Sequence, residues 1–422
     1  AGILSGSNPT QYDLNDPFKL WAIQVVVIVV VSRLCYMLFW RMRQPRVVAE
    51  IIGGIVLGPT VMGRIPRFSA TIFPQESIPL LNLCATLGLV LFLFLAGLEI
   101  DLKLIKKHAR LSIVISAAGL ISPFAFGSLL AIPLYREFID QTVDFGYFLL
   151  FTCISVGITA FPILCRMLAE LDLFNTTLGS VVLAAGVGND VIGWILLALA
   201  VTLVNSTSGL AALWIALTCA GYTVFLMYPV RWLFLWIGRK TGELETGDLS
   251  SVMMTCSIMM LLVSALFTDI IGLHAIFGGF LSGLVVPRER QLSITVMKRL
   301  EPVVWNIFLP VYFALSGLKT DLGLLNDGKS WGFTCVVCLM AYMGKFIGCG
   351  IASRFLGFTW RESSAIGTLM SCKGLLELIV VNLALQARIF TGHVFAMFVV
   401  HAIVLTVVIT PLTGLIYPAR FR

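Results

Sequence analysis

The chain has 422 residues, 59% of them hydrophobic and 12% charged, with a mean hydropathy of +0.97. A water-soluble fold cannot hide that much apolar side chain, so the composition excludes a soluble globular protein and indicates an all-α polytopic membrane protein. The net charge of +7 does not indicate nucleic acid, because the Lys and Arg residues stand in short loops between apolar segments, as cytoplasmic anchors do.

Residues 1–16 form a short polar segment without a cleavable signal-peptide pattern. About 13 transmembrane helices are expected next, at 17–40, 44–63, 80–101, 109–135, 145–171, 178–204, 210–238, 249–272, 274–287, 300–320, 331–357, 362–387 and 392–417. The ninth is short. Trp21, Trp40, Trp214, Trp232, Trp236, Trp331 and Trp360 fall near span ends, as interfacial aromatics should. Alternate loops share Lys and Arg unequally, about 19 on the side of Arg41, Lys106 and Arg239 against about 6 on the side of Arg64, Arg136 and Arg388. The positive-inside rule then makes the N-terminus extracytosolic and the C-terminus cytosolic. The sequon Asn205-Ser206-Thr207 lies on the outer side but hugs the membrane, which disfavours its use. Ten Cys are scattered, mostly in apolar segments, and Cys335 with Cys338 reads as a pair of small hydrophobes rather than a redox or metal site. The chain starts without Met and stops just after a span, as the membrane portion of a longer protein would.

Two motifs recur in the same order. Ile52-Gly53-Gly54 with Gly58 returns as Phe277-Gly278-Gly279 with Gly283, and Ala96-Gly97-Leu98 with Asp101 returns as Ser316-Gly317-Leu318 with Asp321. The offsets, about 225 and 220 residues, span seven expected helices. An odd number means that the second copy enters from the opposite side, which is the inverted repeat of secondary transporters. The expected organisation is one transporter domain over 17–422, with repeat one at 17–204, a linker helix at 210–238 and repeat two at 249–417.

The strongest chemical signal is Asn189-Asp190, at the centre of the apolar stretch Leu178 to Val204. A carboxylate at mid-membrane costs roughly 2.5–3.5 kcal/mol on insertion scales. An ion path, a proton relay or a structural hydrogen-bonding role must therefore hold it there. One carboxylate can hold a proton or help coordinate a cation, but not both well, and that exclusion gives antiport. With no second acid beside it, exchange of one proton for one monovalent cation is electroneutral.

Spans 5 and 12 are equivalent in the two repeats, and both look breakable. One carries Gly157, Thr159, Phe161 and Pro162; the other carries Ser371-Cys372-Lys373-Gly374. Two crossed broken helices would aim free N–H and C=O groups at an ion, whereas an ordinary kink at Pro162 would not. Lys345, between Gly344 and Gly348, is expected to pair with Asn189-Asp190, to compete with a cation there, or to tether helix carbonyls. Lys373 is expected to neutralise helix ends at the span-12 break, with Glu377 one turn on. Glu99 and Asp101 close span 3 as interfacial caps or as a way in for cations, and Glu50 and Asp269 are open in the same sense. His274 and His401 read as packed core histidines. No metal-ligand spacing appears beyond what a transported cation needs, and no cofactor is expected.

The runs Val48–Pro59, Phe94–Glu99, Thr159–Pro162, Ala184–Trp194 and Lys373–Leu378 together resemble the monovalent cation:proton antiporter-2 family. The resemblance is greatest to its fungal potassium/proton antiporters and plant cation/proton exchangers, and it covers essentially the whole chain. It implies a sodium/proton antiporter-like fold, in which a core domain moves against a dimerisation domain. It implies Asp190 as shared cation and proton carrier with Asn189 and Thr159 beside it, Lys345 as basic partner and Glu99 as a functional acid. It further implies homodimers, potassium over sodium, and a eukaryotic endomembrane compartment such as Golgi, endosome or vacuole. Two departures stand out. Lys373 occupies a position where Arg is common, so forked hydrogen bonding is lost while charge is kept. Electrogenic relatives carry two adjacent acids where this chain has Asn189-Asp190.

The expected function is secondary active exchange of potassium, or sodium, for protons by alternating access, in the lipid bilayer and without enzyme activity. A monovalent cation channel is the first rival; it needs neither an inverted repeat nor a central acid. A sodium-coupled organic anion symporter is the second; it should have a roomy polar cavity and no need of Lys345. A membrane enzyme is third, with no nucleophile–base pair to support it.

Overall fold

The computed structural model describes residues 10–14, 16–40, 46–99, 109–173, 176–205, 209–241, 250–287 and 292–418. Among the described residues every regular element is a helix. In chain order these are α1 (Phe18–Trp40), α2 (Arg46–Leu57), α3 (Phe68–Ile72), α4 (Ile78–Glu99), α5 (Ala109–Phe138), α6 (Phe145–Gly157), α7 (Phe161–Glu170), α8 (Thr177–Asn205) and α9 (Gly209–Phe225). They continue as α10 (Arg231–Lys240), α11 (Ser251–Ile270), α12 (Ala275–Val285), α13 (Leu292–Val303), α14 (Leu309–Leu318), α15 (Gly328–Phe355), α16 (Trp360–Met370), α17 (Leu375–Gln386) and α18 (Gly392–Ile416). Single π-helical turns, Leu226–Val230 and Val304–Phe308, join α9 to α10 and α13 to α14. Pro229 lies inside the first and Pro302 just before the second, where a missing N–H loosens the helical ladder.

Ten helical runs among the described residues are long and apolar enough to cross a membrane. Three shorter apolar helices, Phe145–Gly157, Ala275–Val285 and Leu376–Gln386, lie in the fifth, ninth and twelfth expected spans. The count of about 13 therefore depends on how these short pieces are reckoned. The tenth span begins at Leu292 rather than 300, because Ser293, Lys298 and Arg299 dilute the apolar signal of its first turns. The sequon positions 206 and 207, Asp101, and the basic residues at 41, 43, 103–107, 288–290 and 420–422 lie outside the described residues.

The chain divides into two compact units, one of residues 1–37, 50–100 and 201–319, the other of 38–49, 101–200 and 320–422. Each unit draws on both halves of the sequence. The first holds most of α1 and α2, with α3, α4 and α9 to α14. Its helices cross where glycines let backbones touch. A Cβ built on Gly54 would lie 2.4 Å from the Ala314 carbonyl oxygen, and one on Gly317 2.5 Å from the Ile55 nitrogen. One on Gly97 would lie 2.5 Å from the Phe280 carbonyl oxygen, and one on Gly283 2.2 Å from that of Phe94. The recurring motifs thus pair crosswise: the first Gly-Gly copy packs on the second Gly-Leu copy, and the reverse.

The second unit contains α5 to α7, most of α8, and α15 to α18. Its interior is well packed, with Phe148, Phe151, Phe395 and Phe398 buried. Two of its spans are interrupted. Residues 158–160 separate α6 from α7, and 371–374 separate α16 from α17.

Candidate functional site

The interruptions in the second unit meet each other. Ala160 N–H donates to the Cys372 carbonyl at 3.2 Å, and the Cys372 thiol lies 3.4 Å from the Ala160 carbonyl oxygen. Extended backbone at Ile158 ends α6, and Pro162 is the second residue of α7, where its missing N–H costs nothing. Pro162 therefore starts a helix after a break rather than kinking a continuous one. Gly374 caps α17, and a Cβ there would lie 2.1 Å from Ile163 Cδ1 and 3.1 Å from Ala160 Cβ. This close approach to the tip of Ile163, not the extended backbone, is what favours glycine at 374.

Each break leaves carbonyls at a helix C-terminus, and each is served by a fully buried lysine. Lys373 Nζ donates to the carbonyls of Ser155, Val156 and Ile158 at 2.6, 2.8 and 3.1 Å. Lys345 Nζ donates to Thr159 Oγ1 at 2.7 Å, and that hydroxyl donates onward to the Met370 carbonyl at 2.8 Å. The end of α6 thus meets an ammonium directly, which suits its dipole, whereas the end of α16 meets one through the Thr159 hydroxyl.

Asn189 and Asp190 come from the middle of α8. Thr159 N–H donates to Asn189 Oδ1 at 3.1 Å, so the break and the Asn-Asp pair are joined directly. Asn189 is completely buried, whereas Asp190 retains 7% exposure and lies within electrostatic reach of Lys345. Lys345 thus hydrogen-bonds to Thr159 rather than to the Asn-Asp pair, and lies within electrostatic reach of Asp190. Asp190, Asn189, Thr159 and Lys345 form one cluster.

Two neighbours of this cluster escaped the sequence reading. A Cβ on Gly119 of α5 would lie 2.6 Å from Cys349 Sγ and 3.9 Å from both Asn189 Nδ2 and Lys345 Nζ. Ser116 Oγ donates to the Ala185 carbonyl at 2.7 Å and sits against Gly188. A glycine or serine in an apolar helix gives no signal of which neighbour it serves. His401 is buried as expected, but Nδ1 lies 2.6 Å from Glu377 Oε1, so it belongs to a polar cluster. An imidazole in the apolar middle of α18 could have been flagged by the argument used for Asp190. Glu377 Oε2 lies 4.0 Å from Lys373 Nζ, the one-turn spacing expected for that pair.

Glu99 ends α4 in the first unit and is exposed. Glu50 is buried in that unit, and His274 caps α12, accepting from Ile276 N–H at 3.4 Å. Among the described residues no group of three or more His, Cys, Asp or Glu could hold a metal ion.

Residues 26–416 match the family described as sodium/hydrogen exchanger, transmembrane. The chain belongs to the sodium/hydrogen exchanger family. Among relatives of this chain is K(+)/H(+) antiporter 1 of Saccharomyces cerevisiae, 43% identical over 100% of this chain and 49% of its own length. Cation/H(+) antiporter 15 of Arabidopsis thaliana is 38% identical over 99% and 50% respectively. Na(+)/H(+) antiporter NhaS4 of Synechocystis is 36% identical over 94% and 96%. The chain spans about half the length of the yeast and plant relatives. The sodium proton antiporter MjNhaP1 of Methanocaldococcus jannaschii superposes with a TM-score of 0.63 at 14% identity, covering 94% of this chain and 96% of that one. That match establishes a sodium/proton antiporter-like fold for the chain. The family is one of membrane transporters, not enzymes.

Proposed function

We propose that this chain exchanges potassium for protons across a membrane by alternating access, with Asp190 as the shared carrier. The single observation that carries the reading is Asp190 beside Asn189, at a point where two broken helices meet and Thr159 joins them. A cation that reaches Asp190 finds a carboxylate; a proton that reaches it removes the negative charge that holds the cation. Lys345 and Lys373 hold the breaks by charge and leave Asp190 as the exchangeable acid. One acid and one monovalent cation make the exchange electroneutral. The names of the yeast and cyanobacterial relatives support potassium and sodium respectively, and the greater identity to the yeast protein favours potassium.

The same reading takes 17–204 and 249–417 as inverted repeats joined by a helix at 210–238. It makes the working protein a homodimer in an endomembrane of a eukaryotic cell. It places residues 1–16 outside the cytosol and the C-terminus within it, and gives Glu99 a role at the membrane boundary.

The test is exchange in proteoliposomes with a trapped pH dye, pulsed with potassium, sodium or lithium, with and without valinomycin or a protonophore added singly, since the two together exchange potassium for protons without any protein. Dequenching that needs potassium and Asp190, and persists at zero potential, is the expected result. Cation flux without proton movement would make the protein a channel or symporter.

A further inference from the structure

We propose that His401 is a positioning residue for the ion site, acting through Glu377 and Lys373; this rests on the antiport reading above. His401, Glu377 and Lys373 are all essentially inaccessible to solvent. The path runs from His401 Nδ1 to Glu377 Oε1 at 2.6 Å, then from Glu377 Oε2 to Lys373 Nζ at 4.0 Å. Lys373 in turn holds the carbonyls of Ser155, Val156 and Ile158. Ile158 immediately precedes Thr159, whose N–H and hydroxyl are committed to Asn189 and Met370. A chain of side chains thus leads from α18 to the backbone that presents Thr159.

Each link has a physical reason. The ammonium spends its hydrogen-bond donors on neutral carbonyls, so its charge needs a separate counter-ion, which Glu377 supplies. A buried carboxylate in turn needs donors. A carboxylate oxygen accepts, so the neutral ring that fits carries its proton on Nδ1. Among the described residues Nε2 has no hydrogen-bond partner, and the ring stands edge-to-face with Phe398 at 5.9 Å between centroids. The Nδ1–H tautomer leaves only a lone pair at Nε2 and keeps the Lys373–Glu377 pair balanced. Well-packed hydrophobes could replace such a buried set at little or no cost in stability. Its presence therefore points to geometry at the break rather than to packing.

The variants that test this are His401→Asn and His401→Gln, because the Asn amide nitrogen falls where Nδ1 was and the Gln nitrogen falls where Nε2 was. Potassium/proton exchange is measured in proteoliposomes over a range of potassium concentrations. The Asn variant is expected to stay within about threefold of the parent. The Gln variant is expected to fall about tenfold or more, the size of a lost hydrogen bond to a charged group, mainly through a raised half-saturating potassium concentration. Equal behaviour of the two variants would overturn the proposal. If the parent exchanges no cation, or a variant does not fold, imidazole ¹⁵N spectra of the parent decide independently of transport. An Nδ1–H signal for His401 supports the chain, and an Nε2–H signal overturns it.

Discussion

Asp190 combines two properties that rarely coexist in an apolar helix: a charge in the middle of the span and a small remaining exposure of 7%. Asn189, fully buried next to it, is already committed to Thr159 N–H. Replacing Asp190 by Asn keeps the shape and removes the titrating group, so exchange should fall to that of protein-free vesicles while gel-filtration behaviour is unchanged; exchange at the parental rate would remove Asp190 from the mechanism. Lys373 has the opposite balance, being structural first. Lys373→Gln strands three carbonyls and leaves Glu377 with an uncompensated charge, a loss of about 3–5 kcal/mol for a broken buried pair, to be read as a lowered thermal unfolding midpoint in detergent. Asp190 was legible in the sequence because a lone carboxylate in an apolar run is costly in any fold. The Lys345–Thr159 bond joins residues 186 positions apart, and no local pattern announces it.

At the level of elements, the two breaks are held open by each other. Neither interrupted span can satisfy its own backbone, and the bond from Ala160 N–H to the Cys372 carbonyl supplies part of what each lacks. The sequence carried half of this. Pro162 and Gly374 mark where helices cannot run on, but the close contact of Gly374 with Ile163 arises only when the two spans cross. That contact makes a two-step prediction. Gly374→Ala puts a methyl 2.1 Å from Ile163 Cδ1 and should cost about 1–3 kcal/mol by overpacking, with loss of exchange. Adding Ile163→Ala to it should restore much of both, because the clash is with the tip of one side chain. Failure of the second change to rescue the first would mean that Gly374 serves the backbone rather than this contact. Glu99 illustrates a limit of motif reading, since a charge at a helix end looks alike whether it caps, gates or merely meets water.

Across the whole molecule, the two recurring motifs pack in a way that their order along the chain does not contain. Copies of a motif reveal repetition; they do not say whether each copy packs on its own repeat or on the other. In the first unit they exchange partners, Gly54 against Ala314 and Gly317, Gly97 against Phe280 and Gly283. Swapped pairing of this kind makes the two crossings equivalent, with hypothetical Cβ atoms 2.4 Å and 2.5 Å from carbonyl oxygens. A carbonyl fixed in a helix cannot swing aside as a side-chain tip can, so neither crossing relaxes cheaply. Gly54→Ala and Gly97→Ala should therefore lower the thermal unfolding midpoint by similar amounts, each corresponding to about 1–3 kcal/mol. Since the two crossings share no partner, the double variant should lose roughly the sum. A tolerated Gly54→Ala beside a damaging Gly97→Ala would break the equivalence. It would mean that the two halves of the sequence, though similar in motif, no longer play matching parts in the packing.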